Sequence, residues 1–285
     1  MTRPGILVAG CGFVGLEVAR LFYRGGWPVV GVTHSEESAR ALAHEPFAVT
    51  ACDFTRREQL QAHPEWKGLA AIVHCASSGQ GGAEAYRRVY FDGARLLLSE
   101  LEPRRLLFTS STSVYAQNDG GWVDETSPAE PLRETGRMLR ETEDLVLAAQ
   151  GTVLRLGGIY GPQRSVLLRK FLRSEARMEG GGLRYVNQIH RDDAARAIVR
   201  LVDANQSGVF NGVDNEPLSQ RELYEWLAHH FKRPVPIEGD VDPNRKRGVT
   251  NKRVRNTKLR AIGWEPRYPS FREAVIADPT LAGSQ

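Results

Sequence analysis

The chain has 285 residues, 41% of them hydrophobic and 25% charged, the make-up of an ordinary globular protein with room for one large α/β domain or a domain plus a smaller lobe. Its 38 basic and 34 acidic residues nearly cancel to a formal charge of +4, with an isoelectric point near 9.0, which argues against a nucleic-acid partner. No apolar run reaches the roughly 18 residues of a membrane span, Met1-Thr2-Arg3-Pro4 leads straight into a strand-like segment, and Cys11, Cys52 and Cys75 show no CxxC spacing; these features predict a cytoplasmic protein with free thiols and neither membrane segment nor metal site.

Taken in chain order, short apolar runs at Ile6–Ala9, Val29–Thr33, Ala71–Cys75, Arg105–Thr109 and Thr152–Leu156 are predicted as buried parallel strands, and a further strand ends at Ala51-Cys52-Asp53-Phe54. Helices are predicted between them at 13–25, 36–44, 83–102 and 132–150. This alternation points to an α/β fold with a Rossmann-type doubly wound parallel sheet. On the helix at 132–150, Met138, Leu139, Leu145, Val146 and Ala149 form the expected apolar stripe. The alternation breaks after Gly157-Gly158-Ile159-Tyr160-Gly161-Pro162, and Gly180-Gly181-Gly182 adds a second flexible point. From there a smaller C-terminal substrate lobe is predicted, with strands near 183–188 and 208–213 and helices at 192–203, 219–231 and 270–277. The expected domains are 1–160 and 161–285, some elements of the second packing back on the first.

Gly10-Cys11-Gly12-Phe13-Val14-Gly15 has GxGxxG spacing between a strand and a helix. In that setting the first glycine permits a tight turn, the second lets a pyrophosphate approach backbone, and the third allows close helix packing. Gly10, Gly12, Phe13, Val14 and Gly15 are therefore candidate cofactor residues. The second strand ends in Val32-Thr33-His34-Ser35 without the carboxylate that would hold an NAD ribose, although Glu36 and Glu37 follow on the next helix. Thr33, His34 and Ser35 can donate to a 2′-phosphate, so the expected cofactor is NADP, with NAD still open. Asp53 is placed either to meet the adenine or to start a turn.

Further motifs follow in order: Val73-His74-Cys75-Ala76-Ser77, Ser110-Ser111-Thr112-Ser113-Val114-Tyr115, Leu154-Arg155-Leu156-Gly157-Gly158-Ile159-Tyr160-Gly161-Pro162, Ile189-His190-Arg191-Asp192-Asp193-Ala194 and Val209-Phe210-Asn211-Gly212. Over nearly the whole chain this series resembles the extended short-chain dehydrogenase/reductase superfamily, in the branch of nucleotide-sugar epimerases and dehydratases. The resemblance implies that Cys75, Ala76, Ser77 and Ser110 border the cofactor and that Ser111 polarises the reacting carbonyl. It also places Tyr160 in a loop near nicotinamide and substrate, a candidate proton donor or a packing residue.

Two departures stand out. Ala9 takes the first place of the family's GxxGxxG, and Gly10 supplies the older dehydrogenase spacing. More seriously, Thr135 and Leu139 stand where the family has Tyr and, four residues on, Lys. A phenol of pKa about 10 shuttles protons at neutral pH only beside a cation that favours phenolate, and four-residue spacing puts both groups on one helical face. The resemblance therefore implies an atypical member that keeps the cofactor fold without the usual catalytic pair. His190 and Asp192 read as a helix start with an Asp cap. The basic run Arg245-Lys246-Arg247 to Asn251-Lys252-Arg253-Val254-Arg255 reads as a solvated arm or as a seat for an anionic substrate or the cofactor's phosphate.

The expected function is an NAD(P)-binding oxidoreductase or nucleotide-sugar epimerase/dehydratase-like protein with a non-standard active site, its small-molecule substrate lying between sheet edge and smaller lobe. The alternative is a non-catalytic NAD(P)(H)-sensing or partner-binding protein on the same fold. Oligomerisation stays open.

Overall fold

The computed structural model describes residues 4–79, 81–240 and 250–282. Two compact units share the chain: the first takes the described residues of 1–114, 130–155 and 195–210, the second those of 115–129, 156–194 and 211–285. The expected division after residue 160 has some later elements packing back on the first domain; in the structure 195–210 belongs to the first unit and 115–129 to the second, so the units alternate along the chain.

The sheet strands are β1 (Ile6–Ala9), β2 (Val29–Thr33), β3 (Ala48–Ala51), β4 (Ala71–His74), β5 (Leu106–Ser111), β6 (Thr152–Leu156) and β7 (Gly208–Gly212). They lie in the order β7-β6-β5-β4-β1-β2-β3, the doubly wound arrangement whose order reverses beside β1. β1 pairs in parallel with both β2 and β4, placing Ala9 between Val32 and His74. Strands buried on both faces explain the near-continuous Val, Ile and Leu runs. Ser110 and Ser111, expected after the fifth strand, are its last two residues.

Helices match the expected positions with trimmed ends. Gly15–Arg24 stops at Gly25-Gly26, where Gly26 takes φ +76°, and Glu36–Ala41 is capped by Ser35, whose hydroxyl accepts from Ser38 N. The helical run at 83–101 contains a π turn over Arg87–Asp92. Fully buried His74, on β4, meets the carbonyl of Val89 inside that turn at 3.0 Å. A carbonyl only accepts, so Nε2 carries a proton. Phe54 and Phe108 pack edge-on to it at 5.2 and 5.4 Å.

In the second unit, Tyr160, Leu168, Phe171, Leu223, Leu227 and Phe271 form the core. Short paired strands surround it. The strand expected near 183–188 is two: Tyr185–Val186, antiparallel to Leu218–Ser219, and Gln188–His190, parallel to Gly158–Tyr160. Ser219 and Glu222 form a reciprocal capping box at the start of Gln220–Phe231. His190, not an Asp, caps the Arg191–Asp203 helix: its Nδ1 accepts from Asp192 N at 3.2 Å while Nε2 faces Asp278 Oδ2 at 3.3 Å. Asp193 instead accepts from the backbone N–H groups of Arg267 and Tyr268.

The basic run corrects the reading of a solvated arm where it is described. Arg253–Val254 is a strand parallel to Trp122–Val123, and Lys252 is buried. Arg245, Lys246 and Arg247 lie outside the described residues.

Burial lowers His74 to about 4, below the usual value near 6.5 that applies in the unfolded chain. The unfolded state then binds the proton first, so this contribution to stability is complete above about pH 6.5 and is lost as pH falls toward about 4. Urea unfolding between pH 6.5 and 4.5 should show a pH slope about 1 kcal/mol per unit steeper in the wild type than in His74→Gln. Equal slopes would remove His74 as the titrating group.

Candidate functional site

The three motif glycines are each required for a different reason. Gly10 takes φ +101°, and a Cβ there would lie 2.4 Å from the backbone N of Ala76. At Gly15 a Cβ would stand 2.1 Å from the Gly10 carbonyl. At Gly12 a Cβ would meet nothing within 4 Å. Two glycines thus let β1, β4 and the Gly15–Arg24 helix close up, and the third faces open space at a helix N-terminus, which suits a pyrophosphate. The N–H groups of Gly10 and Cys11 both donate to Val32 O, at 3.0 and 2.9 Å, fixing the loop to β2. Phe13 and Val14 make the turn into the helix, with Val14 at its cap position. Cys75 N donates to Ala9 O, and Ala76 forms the wall beneath Gly10. Ser77 is exposed and accepts from Gly79 N. Burial pushes the Cys11 thiol up to about 12 and that of Cys75 higher still, so neither is a nucleophile.

At the end of β2, Thr33 is buried and spends its hydroxyl on Ser35 O at 3.2 Å. His34 is exposed and lies 4.0 Å from Asp53 Oδ1. Asp53 closes a local turn by accepting from Thr55 N and Oγ1, at 3.1 and 2.6 Å, and it also faces Arg56 Nε at 3.5 Å. Turn-former and border of the adenine end are therefore compatible roles. Arg56, which sequence reading passes over, brings a guanidinium beside Asp53; its signal is the three-residue spacing from Asp53.

Below β5 lies a buried carboxylate that sequence reading also misses. Glu143 has no exposed side-chain surface and accepts from Ser110 Oγ at 2.5 Å, from Arg155 Nε at 3.1 Å and Nη2 at 2.7 Å, and from Arg140 Nη1. The Ser110 hydroxyl is thereby committed inward, leaving its backbone for any contact with a cofactor. Ser111 is half-buried and accepts from Ser113 N at 3.2 Å. That bond uses a lone pair, and the hydroxyl proton has no acceptor among the described residues, so Ser111 can donate to a substrate oxygen.

The helix Glu134–Ala148 turns Gly136, Leu139, Thr142, Glu143 and Val146 inward. Ala149, expected on the apolar stripe, is exposed. The buried face is part polar because Arg155 on β6 requires a counter-ion. Leu139 packs, and Thr135 is half-buried. Tyr160 sits in the second unit's core with Phe271 edge-on at 4.9 Å, and its hydroxyl has no hydrogen-bond partner among the described residues. Burial, with Asp214 and Asp193 nearby, pushes its phenol far above the usual value, and the ring packs within that core.

Residues 6–213 match the model of the NAD dependent epimerase/dehydratase family. Protein YeeZ of Escherichia coli (strain K12) is 28% identical over 279 residues, covering 93% of this chain and 96% of its own. The dTDP-4-keto-6-deoxy-D-glucose reductase of Streptomyces niveus is 25% identical over 289 residues, covering 97% and 92%. Among solved structures, one named for an NAD-dependent epimerase/dehydratase of Methylobacillus flagellatus superposes with TM-score 0.78 at 30% identity over 98% of each chain. The Thermus thermophilus UDP-glucose 4-epimerase complex with NAD shares the fold, with TM-score 0.78 at 18% identity over 95% of this chain and 96% of that one.

Gly12→Val should leave the fold intact, since its Cβ meets open space, and should abolish NADPH binding by filling that space. Calorimetric titration of the folded variant checks this. Unchanged affinity would move the cofactor site elsewhere.

Proposed function

This chain belongs to the NAD-dependent epimerase/dehydratase family, and from that premise we propose that it is an oxidoreductase passing hydride between NADP(H) and a carbonyl or carbinol carbon of a nucleotide-linked sugar or a similar anionic small molecule. The observation that carries the reading is the open face above Gly12, set between two glycines too crowded for any side chain. Gly10, Gly12, Phe13, Val14 and Gly15 would hold the pyrophosphate, with Ala76 as the wall beside it. Bound there, the cofactor supplies or accepts hydride. His34 and Arg56 converge on Asp53 and would take the 2′-phosphate. Ser111 would donate its free O–H to the substrate oxygen and favour the developing alkoxide. With neither Thr135 nor Leu139 able to act as acid or base, the proton on that oxygen would come from water or from the substrate's own hydroxyls. The Streptomyces niveus relative, named as a reductase of a dTDP-linked 4-keto sugar, supports this substrate class.

A second reading, a non-catalytic NAD(P)(H)-binding sensor or partner-binding protein, is favoured by the loss of the helix pair and the burial of Tyr160. Ser111 separates the two. In an assay of NADPH oxidation with dTDP-linked 4-keto sugars, Ser111→Ala should lower turnover about tenfold to a hundredfold, and Thr135→Ala should leave it within about twofold. No turnover by the wild type with any such substrate, despite tight NADPH binding, would favour the sensor. Arg56→Ala should weaken NADPH by about tenfold, as expected for one charge-assisted contact, and leave NADH unchanged; parallel loss of both would place the 2′-phosphate elsewhere.

A further inference from the structure

The end of the Gly15–Arg24 helix remote from the glycine loop meets the end of the Arg191–Asp203 helix around a cavity of about 400 Å³. Leu21, Phe22, Trp27, Val199 and Val202 form its walls, and Asp203 and Asn205 its rim, all of them residues of the first unit. From Gly15 to Arg24 the helix rises about 14 Å, so this cavity is distinct from the glycine loop.

Two helix-ending turns shape it. After Gly25 and Gly26, Trp27 N donates back to Phe22 O at 3.1 Å, which sets the indole edge-on to the fully buried Phe22 ring at 6.1 Å. Opposite, Ala204 N donates to Arg200 O at 2.9 Å and Asn205 N to Val202 O at 3.0 Å, with Asn205 in the left-handed region at φ +52°. The walls are thus held by backbone hydrogen bonds and do not wait for a guest.

The electrostatics at this place have one sign. Both helices bring their C-terminal ends here, each equivalent to about half a negative charge, and the exposed Asp203 carboxylate adds a full one. Asp203 makes no ion pair among the described residues. The basic side chains of the two last turns stay out of the cavity: Arg24 Nη2 turns back to Glu17 Oε1 at 2.8 Å, and Arg200 is exposed and no part of the wall. An anion is disfavoured in such a place. A cation gains from the carboxylate, from the helix ends and from an indole, the best aromatic partner for positive charge. The apolar walls select further, because alkyl groups on the cation leave water against Leu21, Val199 and Val202, which a hydrated metal ion cannot do.

We propose that this cavity binds a quaternary or alkyl ammonium ion, with Trp27 against the body of the cation and Asp203 balancing its charge. The proposal rests on neither the cofactor nor the substrate reading above.

The test titrates the full chain with choline and, separately, with 3,3-dimethylbutan-1-ol, a neutral molecule of nearly the same shape, each with and without NADPH. The readout is the NMR resonance of the Trp27 indole N–H, one of five in the chain, identified by its loss in Trp27→Phe. Choline should shift that resonance saturably, the alcohol should bind at least about threefold more weakly, and NADPH should change neither. Asp203→Asn, a substitution at an exposed side chain, should weaken choline about fivefold, the upper range for an exposed ion pair, and leave the alcohol unchanged. No saturable shift with choline, or wild-type affinity in Asp203→Asn, would overturn the site. Equal binding of alcohol and choline would overturn its assignment to a cation. A choline response confined to the other indoles, or abolished by NADPH, would overturn the proposal by placing the cation elsewhere.

Discussion

The buried carboxylate of Glu143 organises the first unit around the candidate site. It gathers Ser110 from the end of β5, Arg155 from β6 and Arg140 from its own helix. A buried ion pair of this kind is not a large source of net stability, because desolvating both charges offsets most of their attraction. Removing one partner is another matter and typically costs about 3–5 kcal/mol, since the remaining charge is left uncompensated in the interior. The pair therefore acts as a constraint. It fixes the helix Glu134–Ala148 against the strand end that presents Ser111, whatever side chains that helix carries at 135 and 139.

That constraint explains how a catalytic pair can be absent while the surrounding architecture persists. In the family pattern the helix positions at 135 and 139 face chemistry; here Leu139 is packed and Thr135 is half-buried. The helix holds its place through Gly136, which a Cβ would drive to 2.5 Å from Pro131, and through the Glu143 contacts. What remains beside it is a glycine loop with open space at Gly12 and the Ser111 hydroxyl with a proton to give. On the function proposed above, such a site would suit hydride transfer to an already polar carbonyl better than abstraction of a proton by phenolate.

Much of this is legible in the sequence, for physical reasons that differ by element. The parallel strands announce themselves because burial on both faces demands unbroken apolar runs, and the glycine spacing does so because close approach of backbones tolerates no Cβ at Gly10 or Gly15. Polar groups with buried partners are harder to read. Arg155 looks like an interruption in an apolar strand, and only the fold shows Glu143 twelve residues away completing it. Tyr160 lies in the right motif, but its burial depends on Phe271, over a hundred residues on, which local pattern does not reveal. His190 reads as the neighbour of an Asp cap and is the cap itself. The short strand at Arg253 is hidden because its partner, Trp122–Val123, is distant in sequence and its own composition is basic.

The central claim is that the chain performs hydride chemistry on its cofactor without the helix-borne acid–base pair. Incubation with NADPH deuterated at the transferable C4 position and a nucleotide-linked carbonyl compound, followed by mass spectrometry of the product, tests it most directly. One deuterium is expected on the former carbonyl carbon, with the oxygen's hydrogen drawn from solvent. Retention of the full label on a tightly bound cofactor, across all substrates of that class, would contradict it.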